Sequence, residues 1–354
     1  MSNADPHPAE VVCSAGDTCV DIEIITARDV PLGGPRGMTV HRTIPQRRRS
    51  LIGAWCFCDH YGPDPVGESG GMDVAPHPHT GLQTVSWLFS GTIRHDDSAG
   101  IHEIVRPGEV NLMTAGGGIC HSEVSTEDTE ILHGVQLWTA LPESARHGER
   151  RFDHYVPQPV EFPGGSALVF LGSALGSTSP VTTFSPLLGA ELNLEPGATL
   201  DLPVNAEFEH GILVDTGRIS LEGVTVNRTE LAYAGTGANT LCISNTGSES
   251  ARLILLGGEP FPESLVMWWN FIGRDDAEIR HYRAEWEAGS ERFGQVEGYI
   301  GHSPDSPRRL PAPPIPPVQL RQRKNPAPVA RPGQDPYRPP TQSGATNEKN
   351  ETIF

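Results

Sequence analysis

Short runs rich in Val, Ile, Leu and Thr, each ended by Gly, Pro, Asn or Asp, recur along most of this 354-residue chain. Runs of this length, separated by turn-forming residues, are typical of antiparallel strands. The pattern therefore predicts an all-β fold. The clearest runs are ThrValSerTrpLeuPhe from residue 84, GluValAsnLeuMet from 109, GlyValGlnLeuTrp from 134, GlyIleLeuVal from 211 and ArgLeuIleLeuLeu from 252.

The two halves of the chain resemble each other weakly, which indicates an internal duplication. Residues 210–219 resemble residues 84–93, and residues 234–237 resemble residues 115–118, in the same order along the chain. The length also exceeds the usual size of one domain, so two domains of roughly 100 to 150 residues each are expected. We predict two tandem antiparallel β-barrels.

One segment has the periodicity of a helix. Between about Asp275 and Glu287, the residues Ile279, Tyr282 and Trp286 fall at positions i, i+3 and i+7, which share one helical face. We predict one short helix here, packed across a barrel.

The composition changes from about residue 304. The last fifty residues contain twelve prolines and few apolar residues besides Leu310, Ile315 and Val318. This composition predicts an extended or disordered tail that is solvated. Docking of a protein partner by a polyproline segment of this tail is the alternative.

The distribution of charge argues against direct nucleic-acid binding. Residues 305–354 carry eight Lys/Arg and four Asp/Glu, so the first 304 residues hold 18 basic and 40 acidic side chains, a net charge of −22. A surface this acidic repels phosphate backbones.

The start of the chain, MSNADPHPAE, lacks a basic segment followed by an apolar stretch, and no run of about eighteen apolar residues occurs. We expect a cytoplasmic protein that does not bind membranes. The six cysteines form no CxxC pair and are interpreted as reduced thiols. Cys56 and Cys58 are expected in a strand core, with a redox pair as the alternative.

Two histidine-containing motifs predict a metal site. His77 and His79 stand two residues apart, and about forty residues later a glycine-rich segment leads into His121 and Glu123. Side chains at i and i+2 of a strand point to the same face, so two strands can direct all four side chains into one barrel. A cation would compensate the burial of three imidazoles and a carboxylate. Fe, Mn, Co, Ni, Cu and Zn all suit this ligand set, and an octahedral ion would keep two positions open.

Over roughly residues 21 to 300 the chain resembles the pirins, which are two-barrel members of the cupin superfamily. The resemblance rests on five motifs: ArgThrIleProGlnArgArgArg (42–49), AspHisTyrGlyPro (59–63), ProHisProHisThrGly (76–81), MetThrAlaGlyGlyGlyIleCysHisSerGlu (113–123) and HisGlyValGlnLeuTrp (133–138).

The resemblance implies that His77, His79, His121 and Glu123 bind one divalent, iron-type metal ion per chain, expected to be Fe(II). It also implies a dioxygenase that cleaves a flavonol such as quercetin with dioxygen, without an organic cofactor. Glu123 is then a ligand that could also take a proton during catalysis. The family commonly has Glu where this chain has Gln83, a difference that concerns the surroundings of the metal rather than its ligands.

The resemblance divides the chain into four parts: a leader at 1–20, a metal-binding N-terminal cupin domain at 21–160, a C-terminal cupin domain without metal ligands at 161–303, and the Pro-rich tail at 304–354. In the second domain, the internal alignment places four residues opposite the four predicted ligands. These residues are Pro203, Asn205, Thr240 and Cys242.

Other functions and residues stay open at this point. The resemblance also implies a metal-dependent regulator that binds protein partners, and an isomerase on the same barrel is a third possibility. Three residues after the strand that ends near residue 93, namely His95, Asp96 and Asp97, either orient ligands or form a charged turn. His133 and Gln136 either support the ligands or pack in a strand. His210 is expected to be an ordinary, hydrogen-bonded histidine. His102 and Glu103 are expected to be exposed.

Overall fold

Strands dominate the computed structural model, which describes residues 20–32, 38–303, 306–322 and 325. The first half of the described chain contains β1 (Ile22–Ile25), β2 (Arg28–Pro31), β3 (Thr39–Ile44), β4 (Trp55–Pro65), α1 (Val66–Ser69), β5 (Asp73–His79), β6 (Leu82–Ser90), β7 (Ile93–Asp97), β8 (His102–Val105), β9 (Val110–Thr114), β10 (Ile119–Ser125), β11 (Ile131–Ala140) and β12 (Arg151–Tyr155).

The second half continues with β13 (Pro159–Phe162), β14 (Gly165–Leu171), β15 (Ser173–Ala174), β16 (Ser177–Thr178), β17 (Leu187–Leu194), β18 (Thr199–Pro203), β19 (Glu209–Thr216), β20 (Ile219–Leu221), β21 (Val224–Val226), β22 (Leu231–Ala234), β23 (Thr240–Asn245), β24 (Ala251–Gly258), β25 (Val266–Trp268), β26 (Phe271–Gly273) and α2 (Asp276–Ala288). The predicted all-β class with one substantial helix is confirmed.

Each half builds a barrel from a seven-stranded and a four-stranded antiparallel sheet. In the first barrel the strand orders are β12-β9-β6-β11-β4-β3-β2 and β5-β10-β7-β8. In the second barrel they are β1-β22-β19-β24-β17-β14-β13 and β18-β23-β20-β21. The repeated layout confirms the prediction of two tandem barrels.

Corresponding strand pairs of the two barrels also keep the same register. In the first barrel β10 pairs with β5, and His121 lies opposite His77. In the second barrel β23 pairs with β18, and Thr240 lies opposite Pro203. The internal alignment had matched these two residue pairs to each other, so the duplication extends to individual hydrogen-bonded positions.

The ends of the chain are exchanged between the barrels. Strand β1 pairs with β22 and so belongs to the second barrel, with Ile22 opposite Ala234. The segment after the second barrel returns to the first, where Ile272 donates a backbone hydrogen bond to Thr80. Each barrel is therefore completed by chain from the other end of the sequence.

Helix α2 confirms the predicted helical segment. Its N-cap, Asp275, accepts a hydrogen bond from the backbone of Glu278, and its buried residues are Ile279, Tyr282 and Trp286. These three pack in one cluster with Cys120 of β10. The helix therefore covers the outside of the strand that carries His121, because successive strand residues face opposite sides.

The beginning of the Pro-rich tail corrects one prediction. Residues 306–322 contain no helix or strand, as their prolines predict, but they lie against α2 instead of extending into solvent. Ala312 is buried there, and Leu310 donates a backbone hydrogen bond to Pro76 of the first barrel. Backbone carbonyls that regular structure leaves free accept hydrogen bonds from arginines, among them Arg283 to Pro313. The leader at 1–19 and residues 326–354 lie outside the described chain.

The two barrels share one hydrophobic core, in which Trp55 and Trp87 of the first barrel pack with Phe170 and Leu213 of the second. The indole of Trp55 donates hydrogen bonds across the interface to the carbonyls of Leu188 and Gly257, at 3.1 Å each.

A buried carboxylate also joins the barrels. Oδ1 of Asp215, in β19, accepts hydrogen bonds from His60 Nε2 at 2.7 Å and His133 Nε2 at 2.6 Å, and Arg252 contacts Oδ2 at 2.5 Å. Burial alone would raise the pKa of Asp215, but hydrogen bonds from the two histidines and the charge of Arg252 outweigh it and hold that pKa well below its usual range. The side chain of His133 therefore joins the barrels and does not support the predicted metal ligands.

The cysteines of the described chain, Cys56, Cys58, Cys120 and Cys242, are free thiols. Cys56 and Cys58 are buried in the core, and burial raises the pKa of both, which fits the core interpretation. Within the described chain, neither helix has the length and hydropathy needed to cross a membrane.

Candidate metal centre

Two paired strands carry the predicted ligands, and they bring the ligand atoms of His77, His79 and His121 within 4.8 Å of one another, whereas Glu123 groups with His121 and His95. Strand β5 carries His77 and His79, and β10 carries His121 and Glu123. His121 lies opposite His77, and the register shifts between His121 and Glu123. This irregularity moves Glu123 relative to the ladder, as β-bulges commonly do near functional sites.

The histidine rings converge closely. His79 Nε2 lies 3.0 Å from His121 Nε2, and the ring centroids of His77 and His121 are 4.3 Å apart. Neighbouring nitrogens on an octahedral ion, each about 2.1 Å from it, would be separated by about 3.0 Å. His77 Nδ1 contacts the carbonyl of Ala75 at 3.0 Å, which leaves Nε2 of His77 free to face the same point. The three histidine side chains therefore fit a metal ion.

The electrostatics of the cluster also fit a cation. Burial lowers the pKa of His77 to about 4 and the pKa of His79 and His121 well below the ordinary value, so all three rings are neutral ligands at pH 7. Burial raises the pKa of Glu123. A divalent ion would supply the charge that this buried carboxylate lacks and would satisfy the inward nitrogens at the same time.

Ser86 and Gln136 hold the carboxylate of Glu123 in place. Ser86 Oγ lies 3.3 Å from Glu123 Oε1 and 2.9 Å from Gln136 Oε1. The structure therefore places Gln136 in a chain of contacts behind Glu123, which was one of the two roles considered for it.

His95 supports the ligands from β7. Its Nδ1 lies 3.4 Å from His121 Nδ1, on the side of the ring opposite the metal-facing Nε2, and the side chain is buried. Of the two predicted roles, this position fits ligand orientation, and His95 also forms a second group with His121 and Glu123 whose ligand atoms lie within 4.8 Å of one another. Asp97 contacts His95 Nε2 at 3.4 Å and accepts backbone hydrogen bonds from Ala99 and Ile101.

Asp96 belongs to a peripheral ion-pair group instead. Its carboxylate contacts Arg94 at 2.9 Å and His102 at 2.7 Å. His102 and Glu103 are exposed, as predicted.

The hydrogen bonds of Gln83 go to two threonines and not to the predicted ligands. Its amide donates to Thr114 Oγ1 at 3.0 Å and accepts from Thr139 Oγ1 at 3.1 Å, so it links three strands of the large sheet. The departure from the family's Glu thus leaves a fully paired neutral side chain at this position.

His210 differs from its prediction as a hydrogen-bonded histidine. Within the described chain neither ring nitrogen has a hydrogen-bond partner, although the residue is buried. The ring packs beside Phe208, with centroids 6.2 Å apart. Burial lowers the pKa of His210 to about 4, so the ring is neutral.

Comparison with known proteins agrees with the two-barrel arrangement. Residues 37–139 match the Pirin family model, and residues 189–294 match that of the Pirin C-terminal cupin domain. A Pseudomonas aeruginosa protein named "Putative quercetin 2,3-dioxygenase" is 43% identical over 296 residues, covering 83% of this chain and 91% of the relative. The chain belongs to the pirin family.

Two further relatives support the same family and fold. A "Pirin-like protein" of Caulobacter vibrioides is 35% identical over 285 residues, covering 77% of this chain and 96% of that protein. The crystal structure of a quercetin 2,3-dioxygenase from Acinetobacter baumannii is 37% identical and superposes with a TM-score of 0.79, covering 86% of this chain and 98% of the other. The bicupin fold is thereby shown for this pirin.

In this pirin the ligand cluster opens into a cavity of about 380 Å³, a size typical of small-molecule sites. His77, His79 and Glu123 line one end. Aromatic and apolar side chains dominate the remaining wall, which comprises Val30, Pro31, Leu32, Val40, Pro45, Phe57, Tyr61, Met72, Val74, Trp138, Met267, Trp268, Trp269 and Leu310, with Arg42, Asp59, Gln136 and Asn270 as polar members.

Two polar residues in this wall form a fixed ion pair. Arg42 donates from Nε and Nη2 to the two oxygens of Asp59, at 2.6 and 2.7 Å, and its guanidinium stacks over Phe57 at 4.3 Å. Bidentate pairing and stacking hold the guanidinium in one orientation. Sequence analysis had used both residues only as family motifs, without a role.

The hairpin β25–β26 forms part of the cavity wall, which sequence analysis did not predict. Trp268 pairs with Phe271, so Trp269 and Asn270 form a two-residue turn, and Trp269 has φ of +52°. Tight hairpins need such left-handed conformations, which bulky residues rarely adopt. Adjacent tryptophans before an asparagine were the signal that could have indicated this turn, but nothing local to them shows which barrel they contact.

Proposed function

We propose that this pirin is a metal-dependent dioxygenase that acts on a flavonol-type aromatic substrate, with Fe(II) as the resident ion. The observation that carries the proposal is a group of three buried histidines, His77, His79 and His121, whose ligand atoms lie within 4.8 Å of one another. Two of them, His77 and His79, line an aromatic-rich cavity together with Glu123. The names of the Pseudomonas and Acinetobacter relatives support the reaction and the substrate class.

The four side chains would hold the ion, and an octahedral ion with four protein ligands would keep two positions for other ligands. Three neutral nitrogens and one hard oxygen suit Fe(II) among other divalent ions. When bound, the ion would lower the pKa of a coordinated substrate hydroxyl.

The chain's own residues would position a planar substrate. Phe57 and Trp138 stack at 4.0 Å with rings 11° from parallel, and Trp138 meets His79 edge-on at 5.1 Å. The flat face of this pair suits an aromatic ring system lying beside the ligands. Remaining donors of Arg42 can reach hydroxyl or keto oxygens of the same molecule.

Glu123 is the group we assign to proton transfer. It lies at the cavity end beside the histidines, and Ser86 fixes its orientation. We propose that its carboxylate accepts the proton of the substrate hydroxyl while the aromatic wall keeps bulk water away.

The test measures metal content and dioxygen uptake with quercetin for the wild type, His77→Ala and Glu123→Gln, with His102→Ala as the exposed-histidine control. We expect one metal per chain in the wild type and the control, and loss of metal and uptake in His77→Ala. Glu123→Gln is expected to keep most of the metal and lose at least about a hundredfold in rate.

Joint loss of metal and activity in Glu123→Gln would remove the base role and leave Glu123 as a ligand only. Metal-loaded wild type without dioxygen uptake on quercetin would contradict the flavonol proposal and favour the regulatory alternative. A metal-free wild type that cannot be loaded would contradict the site itself.

A further inference from the structure

The segment 306–322, called here the strap, is fastened to the first barrel and to helix α2. The backbone amide of Leu310 donates to the carbonyl of Pro76 at 2.8 Å, and Trp286 Nε1 donates to the carbonyl of Leu310 at 2.9 Å. Two residues further on, the amide of Ala312 donates to Glu287 Oε1 at 2.8 Å. Both backbone polar groups of Leu310, its N–H and its C=O, are thus hydrogen-bonded.

More contacts fix the strap along the helix. Arg309 donates to the carbonyl of Trp286 at 2.7 Å and stacks over its indole at 4.7 Å. The amide of Leu320 donates to Asp276 Oδ1 at 2.8 Å, close to the other end of the helix. Because these bonds are spread along all of α2, the strap has a defined path over the barrel.

This path places one strap side chain in the cavity. Leu310 lines the metal pocket and packs against the cluster that contains Val40, Met72 and Val74. Pro76, its backbone partner, directly precedes the ligand His77. The side chain is therefore anchored one residue away from the metal site.

The same side of the cavity is built by chain outside both family matches. Val30 and Leu32 pack against the same cluster as Leu310. None of the three lies within residues 37–139 or 189–294, the segments that match the two pirin models. The width of the cavity on this side therefore depends in part on residues outside the segments that match the two pirin models.

We propose that Leu310 is a specificity-determining residue, which closes the apolar side of the cavity and excludes bulky substituents from the metal end. The site accepts compact hydroxylated aromatic molecules and rejects those with a branched alkyl group on the side facing the strap. This inference rests on the proposed function only because it assigns the cavity to a phenolic substrate. Its test measures the binding of ligands and not their turnover.

The test compares two catechols of different width under argon. Protein loaded with Fe(III) is titrated with catechol and with 4-tert-butylcatechol, and the charge-transfer absorbance of the bound catecholate gives each Kd. Leu310→Ala should improve the affinity for 4-tert-butylcatechol relative to catechol by about tenfold, since the added group then finds apolar space. Leu310→Trp should weaken the binding of 4-tert-butylcatechol relative to that of catechol.

Val318→Ala is the matched control, an aliphatic truncation in the same strap at a side chain that is 64% exposed. Its ratio should equal that of the wild type. Glu287→Ala removes the acceptor of the Ala312 amide without touching the cavity, so it should loosen the strap and shift the ratio in the same direction as Leu310→Ala. An unchanged ratio in Leu310→Ala overturns the proposal.

A second readout does not depend on phenol binding. Pyridine-2,6-dicarboxylate must enter the cavity to extract the ion, so Leu310→Ala should lose its metal several times faster than the wild type and Val318→Ala. Equal extraction rates would also overturn the proposal. A changed ratio or extraction rate together with no turnover of quercetin would contradict the proposed dioxygenase and leave the role of Leu310 intact.

Discussion

His210 shows how one buried side chain can tie stability to pH far from the metal site. Its ring is neutral because burial lowers its pKa to about 4, whereas an unfolded histidine titrates near 6.5. Below pH 6.5 the unfolded chain therefore binds a proton that the folded chain does not. Stability falls with decreasing pH between these two values, and the loss levels off below the lower one.

We predict that His210→Leu removes this dependence. Between pH 7 and pH 5.5 the wild type should lose about 1 kcal/mol more of its free energy of unfolding than the variant. At pH 7 the variant should be as stable as the wild type or more so, because it no longer buries two unpaired nitrogens. Urea unfolding at both pH values measures this, and equal losses in the two proteins would contradict it.

At the scale of elements, β1 has the most consequential position. It lies at the start of the described chain but forms the edge of the large sheet of the second barrel, beside β22. Ile22 belongs to the core cluster of that barrel. In addition, Glu23 of β1 contacts the buried guanidinium of Arg49 at 2.9 Å. The stability of the second barrel therefore depends on residues that precede the first.

We predict that Ile22→Ala lowers the free energy of unfolding by about 2 to 4 kcal/mol through the cavity that it leaves. Hydrogen exchange should accelerate in β22 before it does so in β5 and β10. Ile131→Ala, a truncation at a side chain that is 46% exposed, should change stability by less than about 0.5 kcal/mol. A loss below about 1 kcal/mol for Ile22→Ala would show that β1 contributes little.

Features that depend on residues close together in the sequence could be predicted, and features that depend on contacts between distant parts of the chain could not. The convergence of His77, His79 and His121 could be predicted because the two-residue repeat and the strand propensity are local, but the register shift before Glu123 and its grouping with His95 could not. The prolines of residues 306–322 correctly predict that this described part of the tail has no helix or strand, but the contacts of Leu310 depend on a barrel more than 200 residues earlier in the chain. Trp269 and Asn270 escaped prediction for the same reason.

At the scale of the whole molecule, the interface between the barrels is centred on polar groups as well as on apolar packing. Asp215 of the second barrel is contacted by His60 and His133 of the first and by Arg252 of its own barrel. Removing one member of a buried charge group leaves the remaining charge without compensation. The relative position of the barrels should therefore be sensitive to this single carboxylate.

We predict that Asp215→Asn lowers the free energy of unfolding by roughly 3 kcal/mol, because Arg252 loses its buried counter-ion. Asp29→Asn is the matched control, since Asp29 also contacts a histidine, His41, but its side chain is 72% exposed. The control should lose less than about 1 kcal/mol. Thermal and urea unfolding measure the stability of both variants. Equal losses of unfolding free energy would show that the contribution of this contact to stability does not depend on its burial.

The exchange of chain ends has a consequence for synthesis on the ribosome. The four ligand-bearing positions, between residues 77 and 123, emerge long before the hairpin at residues 266–273 and the strap at residues 306–322. Domains generally fold as they leave the ribosome, N-terminal ones first. The nascent first barrel would therefore expose its predicted ligands before the hairpin and the strap complete the cavity wall, and a metal ion would have a wider route to them at that stage.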